Sequence, residues 1–121
     1  MRARTSSPST CADKNISTAV PGKFVIDAGS KTLTQDRNAK NGDTAGFGHV
    51  VEYPQAKIVR LSEEHGEVDA SECDQRPKIG ERVHVIPNHI CPCVNLQTMV
   101  WLRDETGKLE TMPIDARGQV W

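Results

Sequence analysis

The sequence predicts an all-β domain, a compact barrel or sandwich of about seven to nine strands with at most one or two short helices. Short segments rich in β-branched residues recur along the 121 residues, and Gly, Pro, Asn and Asp separate them as turn signals. Neither a long helical periodicity nor an internal repeat is present in the sequence. A chain of this length buries one ordinary hydrophobic core, so we expect one folded domain.

The predicted strands follow one another along the chain with short connections. Two of them, at residues 15–20 and 23–27, flank Pro21-Gly22 and predict a first hairpin. Further strands are predicted at residues 49–53, 57–62, 67–70, 82–86, 97–103 and 108–115. The last two flank Asp104-Glu-Thr-Gly107, in which glycine suits a turn with positive φ. Strict alternation around His84 predicts one buried face, with His84 facing solvent.

Two segments are expected to lie outside regular strands. Residues 1–13 are polar and predict a disordered lead, or the end of a preceding sequence, so that the β-domain covers residues 14–121. Residues 36–48 contain three Gly, two Asp and two Asn and predict a long loop. Long loops in compact domains often carry function.

The composition argues against several classes of function. The chain has 15 basic and 16 acidic residues without charge blocks, so we expect no nucleic-acid partner. No apolar run approaches the roughly 20 residues that cross a bilayer, so we expect no membrane span. Residues 1–10 lack the apolar segment of a secretory signal, and four unevenly spaced cysteines favour a reducing, cytoplasmic setting.

Potential metal ligands are concentrated in Ile86-Pro-Asn-His-Ile-Cys-Pro-Cys-Val-Asn-Leu96. Pro87 and Pro92 disfavour helical geometry in the residues that precede them, so the stretch between them is predicted to be extended, with one short helix after it. Residues two apart in an extended chain share a face. His89 and Cys91 are therefore predicted to bind one ion, with zinc preferred and manganese or magnesium as alternatives.

The spacing of these ligands predicts an open metal site. A closed structural zinc site usually joins two separated ligand pairs, whereas this chain has one tight cluster. An open site leaves positions for water or a substrate oxygen. Cys93 is either a third ligand or a buried free cysteine. Two alternatives remain: a buried cysteine beside a hydrogen-bonded histidine, or a structural zinc site completed by His65 or Cys73.

Four ordered blocks give the chain a family resemblance. They are Asp27-Ala-Gly-Ser-Lys31, Leu61-Ser-Glu-Glu-His-Gly66, Ile79-Gly-Glu-Arg-Val-His-Val-Ile-Pro-Asn-His-Ile-Cys-Pro-Cys-Val-Asn-Leu96 and Pro113-Ile-Asp-Ala-Arg-Gly118. Together they resemble the D-serine dehydratase and D-threonine aldolase family over residues 14–121. The resemblance implies the carboxy-terminal β-domain of a fold-type III, alanine-racemase-like enzyme. Such enzymes are homodimers in which a (β/α)8 barrel binds pyridoxal phosphate ahead of this domain.

The resemblance also implies a role for each part of the site. The family binds metal through a His followed two residues later by Cys or Asp, and these positions are His89 and Cys91 here; cysteine favours the dehydratase. The metal would polarise the β-hydroxyl of a small D-amino acid, so that elimination gives a keto acid and ammonia, or retro-aldol cleavage gives glycine and an aldehyde. The cofactor lysine belongs to the barrel, and we assign no cofactor bond to Lys31.

The chain on its own is therefore expected to be inactive, and its implied partner is a pyridoxal-phosphate-binding barrel domain or subunit. The alternative is a non-catalytic fragment that serves as a binding or assembly module. Glu64 and His65 are either groups that orient the metal ligands or a polar turn. Asn88 and Asn95 are expected to hold loop backbone.

Overall fold

The chain folds as the predicted all-β domain. The computed structural model describes residues 10–38 and 46–119. Within them lie eight strands, β1 (Cys11–Ser17), β2 (Lys23–Ile26), β3 (His49–Val50), β4 (Lys57–Leu61), β5 (Gly66–Asp69), β6 (Arg82–Ile86), β7 (Met99–Arg103) and β8 (Leu109–Pro113), and two short helices, α1 (Ser30–Leu33) and α2 (Ile90–Asn95). The predicted number of strands and the limit of two short helices are confirmed.

Six strands form one antiparallel sheet in the order β3-β6-β1-β2-β5-β4. The strands at the two ends of that order, β3 and β4, also contact one another, so the sheet nearly closes into a barrel. Irregular registers in β1, between Asn15 and Ser17, and in β4, between Ile58 and Arg60, bend the sheet. Near-closure leaves little unpaired strand edge.

The core lies inside the curved sheet, where alternate side chains of each strand point inward. In β6, Val83 and Val85 are fully buried while His84 is exposed, which confirms the predicted alternation. The largest fully buried apolar side chains are Phe24, Ile26, Leu33, Val50, Ile58, Val68, Val83 and Val85. Burial of each such side chain contributes about 1.5–3 kcal/mol.

Two glycines bring the first two sequence blocks together. A Cβ at Gly29 would lie 2.3 Å from the carbonyl oxygen of Ser62, and one at Gly66 would lie 2.8 Å from the carbonyl oxygen of Ala28. The N–H of Ser30 donates to that Ser62 oxygen over 2.8 Å. The β4–β5 turn therefore holds the start of α1 through contacts that only glycine permits.

Some element boundaries differ from the prediction. Strand β1 begins at Cys11 rather than at residue 15 and buries Asp13, because its pairing with β6 extends over residues 11–14. Residues 1–9 of the predicted lead, and residues 39–45 of the predicted loop, lie outside the described residues. Strand β3 covers only the first two residues of the predicted 49–53.

Strands β7 and β8 form a separate hairpin. Its turn has Gly107 at φ 88°, as the sequence predicts, and its register runs from Met99 opposite Pro113 to Arg103 opposite Leu109. Most of its side chains are exposed, including Trp101 at 65%. Within residues 10–38 and 46–119, it pairs with no strand of the larger sheet. Over the same residues, neither helix has the length and apolar character needed to cross a membrane.

Candidate metal centre

His89 and Cys91 lie at the junction between β6 and α2. His89 is extended, with φ −144° and ψ 108°, and caps a helix that begins at Ile90. The predicted extended conformation therefore holds at His89 but is wrong for Cys91, which is helical. The reason is the position of Pro92, the third residue of the helix. In a first turn the missing N–H of proline costs no hydrogen bond and its fixed φ suits the helix.

Both predicted ligands are accessible. The side chain of His89 is 50% exposed, and Cys91 is an exposed free cysteine. Imidazole nitrogen and thiolate sulfur are donors that zinc accepts readily. In the part of the chain that the structure describes, no group of three or more His, Cys, Asp or Glu is arranged to hold a metal ion. Among the described residues, His89 and Cys91 therefore offer donor types that suit zinc in an open site.

The ring of His89 has an acidic partner that sequence reasoning missed. Asp36 Oδ2 lies 2.6 Å from His89 Nδ1, and each side chain is 50% exposed. The two residues are 53 positions apart, so no local motif links them. The available signal was the position of Asp36 at the start of the predicted loop of residues 36–48.

Two asparagines hold backbone around the site, as the sequence predicts. Asn88 Nδ2 donates to the carbonyl oxygens of Asp36 and Gly46, over 2.9 Å in each case. This amide therefore joins both ends of the segment between them. Asn95 Oδ1 accepts the N–H of Gly118 over 2.7 Å, which ties the end of the fourth sequence block to α2.

Cys93 behaves as a buried free cysteine. It is 4% exposed, and its thiol donates to the carbonyl oxygen of His89 over 3.2 Å. Burial raises the pKa of the Cys93 thiol, which disfavours the thiolate that a metal requires. Burial, with the nearby charge of Asp13, likewise raises the pKa of Cys11 to about 12. For Cys93, burial and the hydrogen bond to the His89 carbonyl oxygen favour a buried free cysteine over a third ligand.

Glu64 and His65 belong to the β4–β5 turn. Glu64 forms a 2.6 Å ion pair with Lys31, and the N–H of His65 donates to Ser62 Oγ over 3.1 Å. In the described ranges neither residue has a hydrogen bond or ion pair to His89 or Cys91. These contacts favour the polar-turn interpretation. A cleft of about 340 Å³ lies beside this turn, lined by Val25, Arg60, Leu61, Ser62, His65 and Glu67.

The chain is similar to known proteins in sequence and in fold. Residues 13–102 match the family described as "Putative serine dehydratase domain". The chain belongs to this family. An uncharacterized protein of Mycobacterium tuberculosis is 35% identical over 97 residues, which cover 80% of this chain and 71% of that protein. The D-threonine aldolase of an Arthrobacter species is 32% identical over 105 residues, which cover 85% of this chain and 25% of the aldolase.

Solved structures show the same fold inside larger proteins. An alanine-racemase-like protein of Idiomarina loihiensis matches 93% of this chain with a TM-score of 0.77 and 19% identity. The D-threonine aldolase of Filomicrobium marinum matches 91% with a TM-score of 0.73 and 28% identity. A metal-free variant of D-threo-3-hydroxyaspartate dehydratase matches 93% with a TM-score of 0.74 and 22% identity. This chain spans about 30% of each of those chains.

Proposed function

We propose that this serine dehydratase domain is the metal-bearing part of a pyridoxal-phosphate-dependent lyase that acts on D-configured β-hydroxy amino acids. The observation that carries the proposal is the placement of His89 and Cys91. Both side chains are accessible at the start of α2, in a chain that belongs to this family. Two accessible donors leave coordination positions that a substrate oxygen can occupy.

Variants of a structural relative support the choice of ligands. The solved variants of D-threo-3-hydroxyaspartate dehydratase include a cysteine-to-alanine protein in a metal-free form and a histidine-to-alanine protein. The altered histidine lies two residues before the altered cysteine in that dehydratase. The spacing is the same as that of His89 and Cys91.

The donor types bear on the metal and on the reaction. Thiolate is a soft ligand that zinc accepts and that magnesium and manganese disfavour, so we propose zinc. When bound, zinc would polarise the β-hydroxyl of the substrate, while pyridoxal phosphate on the partner would stabilise negative charge at the α-carbon. His89 and Cys91 would hold the ion, and the 50% exposure of His89 leaves access for a small substrate. The family resemblance, in which dehydratases have cysteine and aldolases have aspartate at this position, favours dehydration over retro-aldol cleavage.

The proposed partner is a pyridoxal-phosphate-binding barrel, and the β7–β8 hairpin is the proposed contact surface. The hairpin exposes Met99, Trp101, Leu102, Leu109 and Met112. An isolated two-stranded hairpin is marginally stable in water, so a covering surface would stabilise it. The match to 93% of this chain necessarily includes hairpin residues, and about two thirds of the matched chain lies outside the match. The barrel that the family resemblance implies ahead of this domain would fit within that remainder.

Metal analysis of the purified chain tests the site. We expect close to one zinc per chain, lost in His89→Ala and in Cys91→Ala. His65→Ala and Cys73→Ala are the matched controls, and both should keep the metal. Loss of zinc in the two control variants, together with unfolding on chelation, would instead indicate the structural zinc site. Wild-type protein that purifies and titrates without binding zinc would rule out the proposed ligands.

Activity requires the partner. The chain is mixed with pyridoxal phosphate, zinc and a barrel-domain protein from the same genome. This mixture should convert D-serine to a keto acid and ammonia. Glycine and an aldehyde released from D-threonine would instead indicate the aldolase reaction. Trp101→Ser should weaken co-elution with the barrel chain, and Glu105→Ser in the hairpin turn is the matched control.

A non-catalytic binding module is the second candidate. The observation that favours it is the relative from Mycobacterium tuberculosis, in which the 97 matched residues already make up 71% of the protein. The family domain therefore occurs in another short chain. If zinc binds at His89 and Cys91 but no barrel chain supports turnover, this second function gains support over the lyase.

A further inference from the structure

We infer that Asp36 is the positioning residue for His89: its carboxylate holds Nδ1 and leaves Nε2 free to bind a metal. The inference rests on the proposed function, because it takes His89 as the metal ligand. Asp36 itself belongs to no ligand group of three in the described residues.

The hydrogen-bond chemistry of the contact sets the tautomer of His89. A carboxylate accepts hydrogen bonds, so Asp36 Oδ2 at 2.6 Å favours a proton on His89 Nδ1. The neutral ring then carries its lone pair on Nε2, the nitrogen that remains to bind a metal. A carboxylate partner also orients the ring and increases the basicity of the ligating nitrogen. Removal of such a partner typically costs about 10–100-fold in metal affinity.

Asp36 is held at three points, two on its backbone and one on its side chain. Its N–H donates to Thr34 Oγ1 over 3.4 Å, its carbonyl oxygen accepts Asn88 Nδ2 over 2.9 Å, and its carboxylate meets His89. Asn88 and His89 are adjacent in the sequence, so the segment that supplies the ligand also anchors its partner. The Asp36 carboxylate is thereby held at one place relative to the ring.

The turn that leads to Asp36 is strained. Thr34 has φ 61° and ψ 159°, the only positive φ at a non-glycine residue in residues 10–38 and 46–119. A β-branched residue in this region costs of order 1–3 kcal/mol and persists only where its surroundings enforce it. Here α1 ends at Leu33, and the strained residue turns the chain towards α2, which α1 contacts. The strain accompanies the placement of Asp36 beside His89.

Zinc affinity and the tautomer of His89 test the inference together. Affinity is measured by competition with a chromophoric chelator, and the tautomer by ¹⁵N NMR of the histidine ring nitrogens in metal-free protein. We expect Asp36→Ala to weaken zinc binding by about 10–100-fold and to move the His89 proton away from Nδ1. Asp36→Asn keeps a neutral acceptor and should retain an intermediate affinity. Asp74→Ala, at an exposed site, is the matched control and should match the wild type.

The outcomes separate this inference from the proposed function. If His89→Ala abolishes zinc binding while Asp36→Ala binds within about twofold of wild type, Asp36 is not the positioning residue and the ligand assignment stands. An unchanged His89 tautomer in Asp36→Ala also overturns the inference. If His89→Ala binds zinc as tightly as wild type, the proposed site and the inference both fail. Thermal melting of each variant confirms that the β-domain is folded during these measurements.

Discussion

The unfolding free energy of the chain is expected to depend on pH in part through the titration of Asp13. Replacing Asp13 by asparagine should remove that part. Asp13 lies on β1, faces the core and is 7% exposed, and its Oδ2 has no hydrogen-bond partner among the described residues. Its neighbour Asn15, two residues on, is also buried but donates to the carbonyl oxygen of Pro77 over 2.9 Å. Burial, with the nearby charge of Asp27, raises the pKa of Asp13 from 3.8 to about 6, against a lowering by His84.

The sign of the effect follows from where the proton binds. Between pH 3.8 and about 6, Asp13 is protonated in the folded chain and ionised in the unfolded chain. Its favourable contribution is therefore fully present below pH 3.8 and is lost as the pH rises through about 6. A shift of roughly two pKa units corresponds to about 3 kcal/mol, since one unit is about 1.4 kcal/mol. Ionised Asp13 thus destabilises the folded chain at neutral pH.

Urea unfolding of wild type and Asp13→Asn from pH 4 to pH 8 measures the pH-dependent contribution of Asp13 to the unfolding free energy. The difference in unfolding free energy between Asp13→Asn and wild type should shift by about 2.5 kcal/mol in favour of the variant from pH 4 to pH 8, because part of the term is already lost at pH 4. The absolute difference at pH 8 will be smaller than this, because an unpaired buried amide costs about 1–3 kcal/mol. Asp74→Asn, at an exposed site, is the control. A difference that stays constant within about 0.5 kcal/mol across this range would refute the reasoning.

Three further substitutions test contacts that hold the domain together. Gly29→Ala places a Cβ 2.3 Å from a backbone oxygen and should lower the unfolding free energy, measured with urea, by at least about 2 kcal/mol. Gly80→Ala is the comparison: Gly80 has φ 84° and no atom within 4 Å of its Cβ position, so this change should lower the unfolding free energy by about 1–2 kcal/mol. Arg76→Met removes a guanidinium that donates to three backbone carbonyl oxygens at 2.8–3.5 Å and should lower the unfolding free energy by about 1–3 kcal/mol; equal stability would contradict this. Asn88→Ala should cost about 1–3 kcal/mol and speed hydrogen exchange next to Asp36; unchanged exchange would show that the amide is not the anchor.

The strands were largely predictable from the sequence because their signal is local. In β6, alternation places Val83 and Val85 inside and His84 outside, and Gly107 marks the last turn. Helix α1 was missed because four residues are too short to display a helical period. The start of α2 was misplaced because Pro92 has two opposing effects. It disfavours a helical conformation at the preceding residue, but proline is well tolerated in the first turn of a helix, and the second effect prevails here.

The candidate site was predictable only in part, since the acidic partner of its histidine lies far away in the sequence. His89 and Cys91 stand two residues apart, and their chemistry can be recognised from spacing. The partner of His89 is Asp36, which lies 53 residues earlier and reaches the ring only because α1 and the strained Thr34 direct the chain there. Pairing at that separation depends on the barrel itself, and periodicity carries no information about it.

The four sequence blocks share a physical role that explains why they can be recognised together. The first block packs Gly29 against the turn in the second, and the N–H groups of Ser30 and Lys31 donate to carbonyl oxygens of that turn. Helix α1, which begins in the first block, contacts α2 in the third, and Asn95 of α2 accepts a hydrogen bond from Gly118 in the fourth. The blocks therefore form one connected scaffold. A methyl group at Gly29 would clash with the β4–β5 turn and displace α1. The turn that brings Asp36 to His89 would move with α1.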